Sequence, residues 1–327
     1  MRRPALLMDA GGMLIDALPP SSQQRVRRWL GRPGPRLITL DDLNAELAQA
    51  ATLFASSEDR ARIFLQGFAL EPPGRRPTDP LSEAYRMWTW DLYRRISGQA
   101  VYSTANEASP FDLESAVVRP FPYQTGSPQV VGRDLAARGH LLRCIGENPV
   151  GLVPPARIVE FGPGWGNLTN DLVATGFDVT AVEVDPQFCQ LIERRCPDQS
   201  RLTVTRQDML AFEPDGSYDA AVFFESFHHC ADHLAMLQKL HSILRPGGAV
   251  YFASEPVQPM PYPWGPRLDG LSLWSTRTYG WLELGFAMDY FDLALARTGW
   301  HAERHQMARR PHESDVLVAT ADPSWTA

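Results

Sequence analysis

The sequence predicts an α/β protein in which a largely parallel sheet carries helices on both faces, joined to a mainly helical N-terminal module. Three observations carry this. From Arg157 onward, short apolar runs alternate with stretches of helical spacing, the pattern of strands that need crossover helices. From about Ser21 to Ser97 the apolar spacing is helical, apart from a proline-rich loop. Between these regions the stretch Val159-Glu-Phe-Gly-Pro-Gly-Trp-Gly-Asn-Leu-Thr169 follows a buried-strand pattern and precedes an amphipathic one. Such a glycine-dense strand-to-helix turn brings backbone N–H groups and the positive end of a helix close to a ligand.

Composition bounds the rest. With 327 residues, 44% apolar and 21% charged, the chain can bury a large core and exceeds the usual length of one domain. The expected division is a module over residues 1–120 and a sheet domain over 121–327. A net charge of −7 disfavours a dedicated nucleic-acid binder. Four cysteines (Cys144, Cys189, Cys196, Cys230) form no C-x-x-C pair and suggest no disulfide framework, so a reducing cytoplasm is expected. Met-Arg-Arg followed by apolar residues has the start of a secretion signal, but Asp9 and Asp16 interrupt the run. No stretch offers the roughly 18 uninterrupted apolar residues of a membrane span, and no membrane partner is expected.

Taken in order, residues 5–16 resemble the first motif of haloacid-dehalogenase-type phosphatases, a strand ending in an aspartate nucleophile. Small residues at 10–12 stand in place of that family's second Asp, and a terminal strand or hairpin is the expectation. Leu43, Leu47 and Ala50 then recur at helical steps after Thr39-Leu-Asp-Asp, which reads as a capped start. Ile63, Phe64 and Phe68 repeat the spacing, as do Tyr85, Trp88, Leu92 and Ile96, while the prolines of 71–80 predict a loop. Residues 98–127 are irregular and proline-rich, and a helix is expected over 130–145. An extended segment just before a nucleotide-type fold tends to cover the ligand mouth, which makes Tyr123 a candidate for covering cofactor or substrate. Strands are expected near 157–161, 178–183, 201–206, 218–224 and 248–254, with helices near 166–175, 186–196 and 232–244. Prolines and aromatics crowd residues 256–285, read as a lid insert; a helix over 286–298 and strands over 300–306 and 314–320 follow.

The turn's pattern is acid-x-Gly-x-Gly-x-Gly: Glu160, Gly162, Gly164, Gly166. Asn167 stands where the third glycine of a dinucleotide binder would fall. The turn resembles motif I of class I S-adenosylmethionine (SAM)-dependent methyltransferases. Three later elements extend the resemblance in the right order: Ala181-Val-Glu-Val-Asp-Pro186, Arg206-Gln-Asp-Met-Leu210, and Tyr218 to Cys230 followed by Leu244-Arg-Pro-Gly-Gly-Ala-Val-Tyr-Phe252. Together they cover about residues 155–255. The resemblance implies a Rossmann-like seven-stranded sheet in the order 3-2-1-4-5-7-6 with strand 7 antiparallel, and SAM as cofactor. It implies Glu160 near the cofactor's ammonium, Glu183 on the ribose hydroxyls, Asp208 on the adenine amino group and Met209 against the ring. A carboxylate at the second strand's end can accept from paired hydroxyls, whereas Asp185, just before Pro186, reads as a helix N-cap.

Methyl transfer from a sulfonium needs in-line alignment and, for a hydroxyl acceptor, removal of a proton. His228 and His229 follow the fourth strand of the sheet, where many small-molecule O-methyltransferases carry a catalytic histidine. His229 leads as candidate base, with His228 and Glu255 as further acid/base candidates and Glu225 as a group that can hold cofactor or base. A metal reading of His228, His229, Cys230 and His233 lacks complete ligand spacing, so no metal is expected. In the insert, Trp264, Arg267, Trp274 and Tyr279 are candidates for stacking on a sugar or aromatic acceptor. The phrases Pro120-Phe-Pro-Tyr-x-Thr125 and Tyr262-Pro-Trp-Gly-x-Arg-Leu-Asp-Gly270 resemble those of bacterial methyltransferases encoded among glycan-assembly enzymes. The expectation is a SAM-dependent O-methyltransferase of secondary metabolism or glycan modification, acting on a small-molecule or glycan acceptor; a homodimer is compatible with it. Two alternatives stay open: a SAM-binding scaffold or regulatory subunit without catalysis, and an NAD-dependent oxidoreductase.

Overall fold

The computed structural model describes residues 34–72, 74–108, 110–147, 151–307 and 315–325, so the expectation for residues 5–16 lies outside the described residues. In chain order the first elements are strand β1 (Arg36–Ile38), helices α1 (Leu40–Phe54) and α2 (Glu58–Gln66), β2 (Phe68–Leu70), and helices α3 (Glu83–Ser97), α4 (Leu113–Val118) and α5 (Pro128–Glu147). Next come β3 (Arg157–Phe161), α6 (Asn167–Thr175), β4 (Asp178–Glu183), α7 (Pro186–Arg195), β5 (Leu202–Arg206), β6 (Tyr218–Phe224), α8 (His233–Ile243) and β7 (Leu244–Ala253). The last are β8 (Trp264–Pro266), α9 (Gly270–Tyr279), β9 (Leu284–Phe286), α10 (Met288–Arg297), β10 (Trp300–His305) and β11 (Val316–Ala321).

These elements form two compact units. The first joins the described residues up to Tyr102 with Gln258–Met288; the second joins Ser103–Val257 with Asp289 onward. This differs from the boundary expected at residue 120 and from an insert carried by the sheet domain. The physical reason is burial: Tyr262, Leu268 and Leu273 share one apolar core with Ile38, Leu43, Leu47, Phe68, Leu92 and Ile96. The insert is also more regular than its prolines suggested. The last of them is Pro266, so α9 starts freely, with the Asp269 carboxylate accepting the Ser272 N–H at 3.1 Å. Helix α1 begins as expected, the Asp42 carboxylate taking the Thr39 N–H at 3.0 Å. The parallel pairing of β1 with β2 was not foreseen; three residues each are too short to carry a readable alternation.

The second unit holds a seven-stranded sheet in the order β10-β11-β7-β6-β3-β4-β5. Counted from β3 as strand 1, this is the expected 3-2-1-4-5-7-6. Only β11 runs against its neighbours, antiparallel to both β7 and β10. Strand β3 is buried from Ile158 to Phe161, as a central parallel strand covered on both faces must be. One covered face packs Leu141 and Ile145 of α5 and Leu168 and Leu172 of α6 against Ile158, Val179, Val222 and Tyr251 of the strands. Asp185 caps α7, accepting the Gln187 N–H at 2.7 Å ahead of Pro186. With β4 on one side of β3 and β6 on the other, the chain reverses its direction of travel across the sheet at β3. In open α/β sheets a ligand crevice opens at the carboxyl ends of the strands at such a reversal.

Candidate functional site

The glycine turn after β3 is held by contacts that account for its composition. Gly162, Gly164 and Gly166 all have positive φ (65°, 52° and 68°), where a side chain is strained. A Cβ on Gly162 would fall 2.8 Å from Ser226 Cβ, and one on Gly166 would fall 2.8 Å from Ile192. Beside Gly164, by contrast, nothing lies within 4 Å. Two of the glycines therefore admit neighbouring chain, and the third leaves an approach to the backbone open.

Two buried carboxylates flank the turn. Glu160 lies in β3 and accepts from Thr169 Oγ1 at 2.6 Å. Burial pushes its carboxyl up to about 7, reinforced by the charge of Glu183 and opposed by the Thr169 bond and Arg138. Glu183 ends β4. Its Oε1 accepts from the N–H groups of Val184 (2.7 Å) and Asp185 (3.0 Å), and its Oε2 from Gly164 (3.0 Å). Burial raises the Glu183 carboxyl above its usual value, and those three N–H groups oppose the rise. A carboxylate offers about four acceptor directions. Three are taken, so paired acceptance of two hydroxyls is reduced to a single further bond unless the side chain turns.

After β5, Asp208 closes a turn by accepting the Leu210 N–H at 2.6 Å, and Met209 is half-buried beside it. The Gln207 N–H donates to the Glu183 carbonyl at 3.0 Å, which ties this turn to the end of β4.

After β6 the chain makes a constrained turn. Glu225, exposed, has φ 52° and donates its N–H to the Ala253 carbonyl at 3.0 Å. Ser226 Oγ donates to the Phe161 carbonyl at 2.6 Å, stitching this loop to the end of β3. Glu255, an acid/base candidate, is drawn into the hydrogen bonding of this loop. Its Oε1 accepts from the Ser226 and Phe227 N–H groups, both at 2.8 Å, and its Oε2 faces His228 Nδ1 at 2.8 Å and the His228 N–H at 3.2 Å. Burial favours the neutral form, but His228 and these N–H groups outweigh it and hold the carboxyl below its usual range. Glu255 therefore anchors the histidine loop, and His228 is held by the same contacts.

His229 is less enclosed, its ring 4.3 Å from that of His228. Its Nδ1 stands 2.9 Å from Oε2 of Glu107, a residue that sequence reasoning did not single out. Glu107 ends a short 3-10 turn (Thr104–Glu107) far upstream, in a stretch that reads only as irregular. His233 turns elsewhere, its Nε2 2.6 Å from the Tyr290 hydroxyl, and burial holds it neutral down to about 3. Among the described residues, no group of three or more His, Cys, Asp or Glu side chains is arranged to hold a metal ion.

The segment from Ser103 to Ser127 runs along this edge as a strap. Phe111 packs on Trp165 and Phe188 with ring centres 5.0 and 4.9 Å away, and its N–H donates to Gln187 Oε1 at 3.2 Å. Glu114 takes both Nη groups of Arg194 at 2.6 and 2.8 Å. The Phe121 carbonyl accepts from Asn167 Nδ2 at 2.8 Å, so Asn167 anchors the strap to the glycine turn. Tyr123 lies within this docked stretch, half-buried, its carbonyl accepting from Arg119 Nε at 2.8 Å.

The four acceptor candidates of the insert belong to the first unit. Trp264 is buried in it, its indole N–H bonded to the Pro80 carbonyl at 2.8 Å and its ring packed on Tyr85, so it is a packing residue rather than an open stacking platform. Trp274 lies against Phe54 with ring centres 4.7 Å apart, and Arg267 pairs with Asp269 and Glu283 at 3.2 and 3.6 Å. Tyr279 is exposed, its ring tilted 31° against that of Trp281 with centres 4.9 Å apart.

The sheet order, the glycine turn and the carboxylates at strand ends define a methyltransferase-type fold. Residues 159–252 match the family described as a methyltransferase domain, and the chain thus carries a class I SAM-dependent methyltransferase domain, a fold whose methyl donor is S-adenosyl-L-methionine. A ubiquinone biosynthesis O-methyltransferase of Xanthomonas campestris pv. campestris (strain B100) is 30% identical over 105 residues, 31% of this chain and 44% of that one. An uncharacterized methyltransferase of Bacillus thuringiensis (strain Al Hakam) is 33% identical over 98 residues, 29% of this chain and 45% of that one. The match thus spans less than half the length of these curated relatives. The solved N-methyltransferase NodS of Bradyrhizobium japonicum WM9, in complex with S-adenosyl-L-homocysteine, is 20% identical, covering 63% of this chain and 94% of that one with a TM-score of 0.44. Among the described residues no helix is long and apolar enough to cross a membrane.

Proposed function

We propose that this protein transfers a methyl group from SAM to a hydroxyl of a small-molecule or glycan acceptor, with His229 as general base. The observation that supports the reading most is convergence. The acids Glu183 and Glu160, the open glycine turn and the His228–His229 loop stand at the carboxyl ends of β4, β3 and β6, three adjacent parallel strands at the reversal point of the sheet.

The residues suit the cofactor. A buried carboxyl raised to about 7 gains a counter-ion when an ammonium reaches Glu160. The remaining acceptor direction of Glu183 suits a ribose hydroxyl, and Gly164 lets a ligand meet backbone. Asp208 has one carboxylate oxygen beyond the one that closes its turn, fit for an adenine amino group, with Met209 beside it. Tyr123 and Glu225 are proposed to flank the cofactor, Tyr123 from the strap and Glu225 from the β6 loop. SAM supplies a methyl carbon already activated toward displacement, so the chain has to align the acceptor, exclude water and accept its proton. His229 takes that proton, a contribution of about 10²–10⁴-fold.

The test is transfer of an isotope-labelled methyl group from SAM to a panel of sugars, phenols and amines. Label on hydroxyl acceptors is expected. His229→Asn is expected to lower turnover by about 10²–10⁴-fold while S-adenosylhomocysteine affinity by calorimetry stays put. Transfer to amines alone, or wild-type turnover in the variant, would rule the reading out.

A further inference from the structure

We infer that Asn167 is a latch between the glycine turn and the strap, through which strap closure and cofactor occupancy of the turn favour one another. This coupling is independent of the acceptor and of His229. Asn167 directly follows Gly166 and opens α6, where asparagine is a weaker helix former than alanine. Its amide is used twice. Oδ1 accepts from Arg195 Nη2 at 2.9 Å, and Nδ2 donates to the Phe121 carbonyl at 2.8 Å. A guanidinium only donates and a carbonyl only accepts, so the two partners together fix which way the amide points. The other Nη group of Arg195 donates to the Trp165 carbonyl, so one guanidinium fork grips the turn on both sides of Gly166. The partners lie 28 and 46 positions away, which makes the arrangement a product of the tertiary fold rather than of the helix start.

The further contacts of the strap between Phe111 and Phe121 reach the same neighbourhood. The Phe111 ring lies on Trp165, the residue between Gly164 and Gly166, and on Phe188. The N–H and carbonyl of Phe111 both meet the Gln187 amide, each at 3.2 Å, a two-point clasp on the start of α7. Glu114 pairs with Arg194, next in sequence to the Arg195 that grips the turn. Yet from Phe111 to Phe121 only Ala116 and Pro120 are buried. A segment with so little buried apolar surface, held by polar contacts, opens at a free energy below that of the whole fold. A ligand reaching the backbone at Gly164 arrives next to Trp165, against which Phe111 and Phe121 lie. A ligand that steadies the turn steadies Trp165 and Asn167 with it, and so favours the closed strap. By linkage, the closed strap tightens ligand binding by the same factor.

The experiment uses the full chain and S-adenosylhomocysteine, and needs no acceptor. Amide hydrogen exchange within residues 111–127 is followed by mass spectrometry with and without saturating ligand, and ligand release is timed by stopped flow. In the wild type, ligand is expected to slow exchange in the strap. Asn167→Asp keeps an oxygen for Arg195, suits a helix N-terminus and removes the donor to Phe121, so it frees the strap while sparing the turn. It is expected to quicken strap exchange and ligand release, each by about three- to tenfold, the contribution of one hydrogen bond. Exchange in β3, β4 and β6 should stay as in the wild type. Glu114→Gln loosens the strap at an exposed ion pair outside the turn, and should move both quantities the same way by a smaller factor. Equal strap exchange with and without ligand in the wild type would overturn the coupling. So would faster strap exchange in either variant with unchanged ligand release. A purely structural Asn167 would instead quicken exchange across the whole sheet unit in Asn167→Asp and leave the ligand's effect on the strap intact, which also overturns the inference.

Discussion

Glu160 is a carboxyl that folding makes harder to ionise, and that gives the protein a measurable pH signature. Its value rises from 4.5 to about 7 on burial. The native chain therefore keeps a proton that the unfolded chain releases between these values. The stability this group contributes is complete below about 4.5 and falls as pH climbs to about 7. His233, held neutral down to about 3, acts in the opposite sense between there and 6.5 and masks the effect in the wild type alone. The difference between Glu160→Gln and wild type isolates it. In urea unfolding the variant should gain on the wild type by up to about 3 kcal/mol as pH rises from 4.5 to 7; a pH-independent difference would mean that Glu160 is ionised throughout. At this scale the sequence was informative where chemistry is local. Glu160, Glu183, Asp208 and the histidine pair could be singled out because each lies in or just after a strand whose apolar run is visible. Glu255 could not be given its part, since its four donors are contributed by a loop nearly thirty residues away, at separations of 27 to 29 positions. Glu107 carries no signal of its own until folding sets it against His229.

The glycine turn shows how one short motif combines two different constraints, and substitutions separate them. Gly166→Ala places a Cβ 2.8 Å from Ile192 at a φ of 68°, so both packing and backbone oppose it. A loss of about 2–4 kcal/mol in chemical unfolding is expected, combining overpacking with left-handed strain. Gly164→Ala meets no atom within 4 Å and carries only the backbone term, about 1–2 kcal/mol. Its larger effect should be on S-adenosylhomocysteine binding, because the methyl group enters the approach to the turn. Equal binding by both alanine variants in calorimetry would remove the claim that Gly164 is the open one. Most strands and helices of the sheet unit were legible to within a few residues, since buried parallel strands and their helices are long and strongly patterned. Helix α9 was not, because the prolines and aromatics before it dominate the reading of the whole stretch. The role of Trp264 was misread for a related reason: a tryptophan in a proline-rich stretch looks exposed until Pro80 and Tyr85 are seen beside it.

The molecule as a whole is less collinear than its sequence. The apolar core of the first unit draws Ile38, Leu47, Phe68 and Leu92 from one stretch and Tyr262, Leu268 and Leu273 from another. Truncating Leu273, wholly buried in α9, is therefore expected to destabilise the N-terminal helices rather than the sheet. Leu273→Ala should cost about 2–5 kcal/mol in chemical unfolding and expose α1 to α3 to protease before the sheet is cut. First cleavage within the sheet unit would contradict this. Composition shift, the only boundary signal in a single sequence, marks where a pattern changes and not which distant segments share a core. The arrangement has a consequence for how the chain comes into being. On a ribosome, everything between Tyr102 and Gln258 must be made before the first unit's missing piece emerges. At about 5–20 residues per second that is a wait of roughly ten to thirty seconds. The sheet unit cannot finish earlier, because β10 and β11 come later still. Both units are completed within the last seventy or so positions described, from Gln258 to Trp325, so a nascent chain stalled midway would display two unfinished apolar cores to its surroundings.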